Sequence, residues 1–296
     1  MRTVYREKKY TCGEYLDVFF YPVFETGKHS GGRKKRKPST DAQKKLNQRH
    51  REEKLARLLH ANFTPAGLEI HLTYQVQPES DEEAKRHLQN FIRRLKRYIA
   101  KHGLGVLKYI AITERGKRGG RYHHHVTIEV EKGIDRDVLE QLWTDTEGHG
   151  YANSRRLQFN EEGLEGLARY VVKSPAGKKS WFASRNLIDP EPKHRVGRVS
   201  GKKAREMAEN IQDSTQFEKL YPGYLCAKAE TWHNDVNGGC YLFVRLYRAD
   251  GKFIKPRKSR STTRCGQRER RKGTASRTGR KKSTSGKSRF IGRWIP

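Results

Sequence analysis

Three consecutive histidines, His123-His124-His125, head a run (Val126-Thr127-Ile128-Glu129-Val130) that alternates like a half-buried strand. Alternation sends successive side chains to opposite faces. His124, Val126, Ile128 and Val130 therefore share one face, and His123, His125, Thr127 and Glu129 the other. The apolar set marks the first face as core. His123 and His125 then project together from the second, at a spacing that lets two imidazoles grip one divalent ion. A neighbouring strand-like run, 106–114, ends at Glu114 close to the turn between the two. Its carboxylate could complete a two-histidine, one-carboxylate set with open positions. Such a set suits Mn²⁺ or Mg²⁺ on a phosphate oxygen better than a closed zinc site. Without chemistry, the same pattern is a solvated polar strand face.

A second group lies on a helix-like stretch, 161–173, that Asn160 can cap. Leu164, Leu167, Ala168, Val171 and Val172 centre on one side of it. Tyr170 lies about 130° and Lys173 about 170° from that side. Tyr170 is thus placed off the core face, with Lys173 one turn on. A phenol ionises near pH ~10, so as a nucleophile it needs a cation to favour the phenolate, and Lys173 or a metal could supply it. The plain alternative for any tyrosine is a half-buried packing residue.

The elements around these groups predict an α+β fold, a central antiparallel sheet with flanking helices. Residues 14–24 read as a strand ended by the proline. Thr40 and Gln43 open a helix carrying Leu46, Leu55, Leu58 and Leu59; Ser80 and Glu83 open another carrying Ala84, Leu88, Phe91, Ile92, Leu95 and Ile99. Residues 68–76 alternate as a strand. The runs 106–114 and 122–130 form a hairpin across Arg115-Gly116-Lys117-Arg118-Gly119-Gly120-Arg121. Stretches 135–144 and 200–212 look helical, and 224–248 looks like a terminal hairpin. The basic segment 25–38 reads as a flexible loop.

The chain has 296 residues and a net charge of +31. Residues 251–296 hold seventeen Lys and Arg against the single acidic Glu269, about half of that charge. Partners with phosphate backbones are implied. No apolar run is long enough to span a bilayer, and residues 1–20 lack the apolar stretch of a signal peptide, so a cytoplasmic protein with reduced cysteines is expected. Ser285-Gly286-Lys287-Ser288 resembles the end of a P-loop, but that motif needs glycine at position 281, where this chain has lysine. No nucleotide cofactor is therefore expected.

Three motifs stand in order: Leu72-Thr73-Tyr74, the His-x-His strand and the Tyr-x-x-Lys helix. Together they resemble the HUH endonuclease superfamily, in particular the single-tyrosine rolling-circle replication initiators of bacterial phages and mobile elements. The opening CGEYLDVFFYP, the stretch KKLNQRHREEKLARLLHANFT and KSWFASRNL after the tyrosine share the likeness, which runs to about residue 248. One departure is His124, where a bulky apolar residue is usual.

The resemblance implies an RRM- or palm-like catalytic domain over 63–200. An N-terminal strand, loop and helix (1–62) would pack on it, a helix and hairpin (201–250) would complete it, and a disordered basic tail (251–296) would follow. It implies a divalent ion, Mn²⁺ or Mg²⁺, held by His123, His125 and Glu114, and attack by Tyr170 with help from Lys173 to leave a 5′-phosphotyrosyl link and a 3′-OH. The substrate would be single-stranded or hairpin origin DNA, contacted by Arg115, Lys117, Arg118, Arg121, Lys178, Lys179 and Arg185. A host helicase and polymerase in a bacterial cytoplasm would be its partners. A conjugative relaxase or single-tyrosine transposase would share this chemistry, and a basic nucleic-acid-binding protein without catalysis would share only the charge.

Overall fold

The computed structural model describes residues 4–23, 40–116, 120–146, 149–172, 180–234 and 238–251. Lys117, Arg118, Lys173, Lys178 and Lys179 lie outside these residues, as do the 25–38 loop, Cys265 and nearly all of the 251–296 tail. The described residues form ten strands and six helices, all within one unit, Met1–Arg257. The class is α+β and antiparallel as expected, but there are two five-stranded sheets rather than one central sheet.

The second sheet carries the histidines. Its order is β6-β3-β5-β4-β7, from β3 (Leu68–Tyr74), β4 (Leu107–Arg115), β5 (Tyr122–Val130), β6 (His149–Arg156) and β7 (Phe182–Ala183). Two helices, α2 (Asp81–Lys101) and α3 (Arg136–Thr144), cover one face. There Leu88, Phe91, Leu95 and Trp143 meet Leu72, Val126 and Ile128. As expected from its spacing, Ser80 caps α2, accepting the Glu83 N–H at 3.1 Å. The opposite face is covered by α1 (Asp41–Asn62) and α4 (Glu165–Val171). Leu55, Leu59, Ala168 and Val171 there pack on Ile110 and Ile112. No helix among the described residues is long and apolar enough to cross a membrane.

The first sheet has the order β8-β1-β2-β10-β9, from β1 (Val4–Cys12), β2 (Tyr15–Val23), β8 (Lys193–Ser200), β9 (Tyr224–Asn234) and β10 (Gly239–Arg248). Two helices, α5 (Gly201–Glu209) and α6 (Thr215–Leu220), bury Met207 and Phe217 against Val18, Phe20 and Val244 on one face. Pro22 does not end its strand. It lies two residues past Phe20, the last β2 residue paired with β10, so its missing N–H leaves no ladder bond unmade on that side.

Two buried features fasten α1 and α4 to the first sheet. Arg245 of β10 is 1% exposed and grips Asp17 of β2 through two bonds, 2.7 and 2.8 Å. Its remaining amino group meets Glu165, the first residue of α4. The second feature is His60 of α1. Its Nε2 accepts the Leu164 N–H at 2.8 Å, and its ring stacks on Tyr15 at 4.3 Å. The imidazole therefore occupies the N-terminus of α4, where Asn160 is expected as the cap. Asn160 instead turns back on itself, its carbonyl accepting the Gly163 N–H at 2.9 Å and the Tyr15 hydroxyl at 2.8 Å. Gly163 at φ +72° then breaks the backbone, and α4 starts at Glu165 rather than 161.

Gly163 gives a sharp test. A Cβ there would lie 2.2 Å from His60 Nε2, on a left-handed backbone. Gly166, one turn into α4, has open space around it. Gly163→Ala should cost at least about 2 kcal/mol. Gly166→Ala should be neutral or stabilising by about 0.5–1 kcal/mol, as in any exposed helix position. Urea unfolding of the two variants checks the contrast.

Buried imidazoles predict acid sensitivity. Burial, then Arg245 and Arg57, hold His60 well below the usual 6.5. Burial also lowers His149 to about 4, although its bond to the Trp143 carbonyl acts in the opposite sense. Both rings fold neutral, so the unfolded chain takes up protons first as pH falls below 6.5. Stability is expected to be flat above pH ~7 and to decline from pH ~6.5 towards 4, with a shallower decline in His149→Phe. Melting temperatures across that range test it.

Candidate metal and tyrosine site

Register decides which side chains meet. In the second sheet, β5 lies between β3 and β4, with His125 opposite His71 of β3 and His123 opposite Glu114 of β4. All four side chains fall on the face covered by α1 and α4. This face is no solvated polar surface: His125 is 4% and Thr127 7% exposed.

Together they form a closed cluster. A ring nitrogen from each of His71, His123 and His125 lies within 4.8 Å of the others. His71 stacks on His125, with centroids 4.8 Å apart and planes within 10°, and meets His123 edge-on at 5.2 Å. The Glu114 carboxylate stands 3.3 Å from His123 Nε2 and 3.6 Å from His125 Nε2. Glu69 of β3 approaches His125 Nδ1 at 3.8 Å and is itself held by Arg155 at 3.6 Å.

His124 points the other way, into the core, as alternation requires. It is fully buried, with Tyr74 Oη 2.6 Å from one ring nitrogen and Thr113 Oγ1 2.9 Å from the other. Burial, reinforced by nearby His123 and His149, lowers it to about 3, so it stays neutral. Both its nitrogens are engaged within the protein, and its role is internal.

The site cluster is the reverse case. His71 Nε2 and both nitrogens of His125 are buried without a hydrogen-bond partner. Unpaired polar atoms cost free energy inside a protein, and such groups in a native fold call for a missing partner. Burial, with His125 and His123 close by, also lowers His71 to about 4, which keeps it in the neutral form that binds metal. Three imidazoles and a carboxylate with unfilled lone pairs fit a divalent ion. His71 was not among the residues singled out by spacing. Its signal lies in Leu68-Glu69-Ile70-His71-Leu72, where alternation puts His71 opposite the apolar residues, on the face of Glu69 and Thr73.

Tyr170 is carried to the same place by α4. It is 58% exposed, off the buried side of the helix as the periodicity predicts, and its ring meets His125 edge-on at 5.2 Å. Arg115, Arg121 and Arg185 are exposed. Arg115 and Arg121 lie at the hairpin mouth beside Glu114, with the Arg115 guanidinium 5.3 Å over the ring of Tyr122.

No curated protein and no solved structure matches the chain. The segment that contains His71, Glu114, His123, His125 and Tyr170 does match a family model. Residues 69–175 are similar to the replication-associated protein ORF2 family, a similarity that supports a replication-initiator role.

Proposed function

We propose that this protein initiates replication by nicking one DNA strand through Tyr170, at a metal centre held by His71, His123, His125 and Glu114. The observation that carries this reading is the cluster of partnerless buried imidazoles with an exposed tyrosine ring against it. A divalent ion bound there would polarise the scissile phosphate and neutralise charge that develops on it. Imidazole-rich donors favour Mn²⁺ or a related transition ion over Mg²⁺, which prefers oxygen.

Tyr170 provides the nucleophile. Its Oη bonds to phosphorus as the bond to the 3′ oxygen breaks, and the proton lost by the phenol is matched by the one gained by the new 3′-OH. One phosphate ester is exchanged for another, so no nucleotide hydrolysis is needed. The 3′-OH can prime a polymerase, and attack by a new 3′-OH on the tyrosyl ester closes the strand. His125, packed against the Tyr170 ring, fixes the approach of the phenol to the centre. Lys173, two residues past the end of α4, would favour the phenolate and contact phosphate. Arg115, Arg121 and Arg185, with Lys117, Arg118, Lys178 and Lys179, would hold the backbone of a single-stranded or hairpin origin. The relaxase and transposase readings share this chemistry, and the similarity to a replication-associated family favours replication over both.

The nucleophile is tested with an origin-region single strand and Mn²⁺, looking for an SDS-resistant protein–DNA species. Tyr170→Phe should abolish it; its persistence would sink the assignment. The centre is tested by Mn²⁺ titration calorimetry. His71→Ala is expected to weaken binding by more than the ~10-fold that loss of an outer hydrogen-bond partner costs. Unchanged affinity would remove His71 from the ligand set.

A further inference from the structure

A cavity of about 530 Å³ opens on the other side of the second sheet, between α2 and the β4–β7 edge. Leu88, Ile92 and Ala111 form its apolar floor, and Tyr109, Trp181 and Phe182 supply three rings. The exposed Arg93 and Lys96 stand at the mouth, with Lys85 close by, its ammonium 5.4 Å over the Phe182 ring. No acidic residue lines it. The Trp181 indole makes no hydrogen bond and no ring or cation contact among the described residues.

We infer that this cavity takes a base from an unpaired stretch of DNA, stacked on Trp181, with the flanking phosphates on Arg93 and Lys96. Rings that offer a stacking face beside cations are what sequence-tolerant single-strand sites are made of. The cation-only rim fits a polyanion and disfavours an apolar peptide. The position fits a strand rather than a free nucleotide. Tyr109 and Ala111 face the cavity, whereas Glu114, three residues past Ala111 and about 10 Å along β4, faces the histidine cluster. Between them, Ile112–Arg115 has no strand neighbour on the β7 side, since only Ile110 and Ala111 pair with β7. A single strand can cross this open edge and lie in both places at once.

This inference rests on the DNA-processing reading, and its test measures binding and cross-linking in EDTA, so neither readout depends on nicking. Full-length protein is titrated with fluorescent oligo-thymidine, an abasic oligonucleotide of equal length and free dTMP. Trp181→Ala should weaken oligo-thymidine about five- to a hundredfold and leave the abasic strand unchanged, with Trp181→Phe near wild type. Lys96→Ala should weaken both strands and lower the salt slope by about 0.7. Irradiation of a 5-iodouracil strand should label a peptide containing Trp181, Phe182 or Tyr109.

Wild-type binding by both Trp181→Ala and Lys96→Ala, or label confined to other peptides, would overturn the site. Binding of dTMP as tight as the strand would overturn the strand assignment. If Trp181→Ala does not fold, Lys96→Ala and the label decide.

Discussion

The geometry of the site depends on a guanidinium that water does not reach. Arg245 is enclosed between Asp17 and Glu165, and each of these charges is too costly to bury without the others. Burial alone would raise the Glu165 carboxyl; Arg245, Lys228 and Arg169 outweigh it and hold the group below the usual range. Breaking such a buried set by removing one member costs about 3–5 kcal/mol, because a bare charge is left behind. Around it the network widens on α1, where Arg57 reaches Asp17 and Glu53, and on β9, where Lys228 bridges Glu165 and Glu230 at 2.8 Å each. Through Glu165 the first sheet grips the helix that carries Tyr170, and through the second sheet come the imidazoles that the tyrosine faces.

Helix α1 is the spacer between these two halves. Its last turns bury Leu55, Leu58 and Leu59, while its first turns run exposed, Leu46 at 45%. At its end His60 sits between two glycines that admit it: a Cβ at Gly13 would meet the His60 carbonyl at 2.5 Å, and one at Gly163 would meet the ring. Asn62 then ties the segment beyond β7, accepting the Ile188 N–H and donating to the Ile188 carbonyl, both at 2.7 Å. A stiff α4 of only seven residues has little stability alone, so its place is set by these tertiary contacts rather than by helix propensity.

What the residues disclose in advance follows from how local each feature is. His123, His125 and Glu114 are readable because alternation and one hairpin bring them together over a dozen positions. Tyr170 is readable because helical periodicity needs only its own turn. His71 needs the register of β3 against β5, strands some fifty residues apart in the chain, which no local period encodes. Arg245 and Asp17 are single charges inside apolar runs, and their meaning appears only when the runs pair. The polar strands β1, β6 and β8 escape detection for another reason. Two of them are the outermost strands of their sheets, with little apolar surface to bury, and β1 carries charges along most of its length. One central sheet is expected when those strands are not seen, and two are found when they are.

The buried clamp divides labour along the chain. The segment 69–175 contains every ligand and the tyrosine, yet Asp17, His60, Lys228 and Arg245, which seat the tyrosine helix, all lie outside it. A piece cut to that segment would keep the chemistry and lose its aim. The reactive parts can thus diverge little without harm, whereas the first sheet is a mount that another scaffold could replace, provided it offers a buried cation to Glu165 and an acceptor to the Leu164 amide. The protein is a tool head and a handle joined by ion pairs, and its cutting geometry exists only once the whole chain has folded.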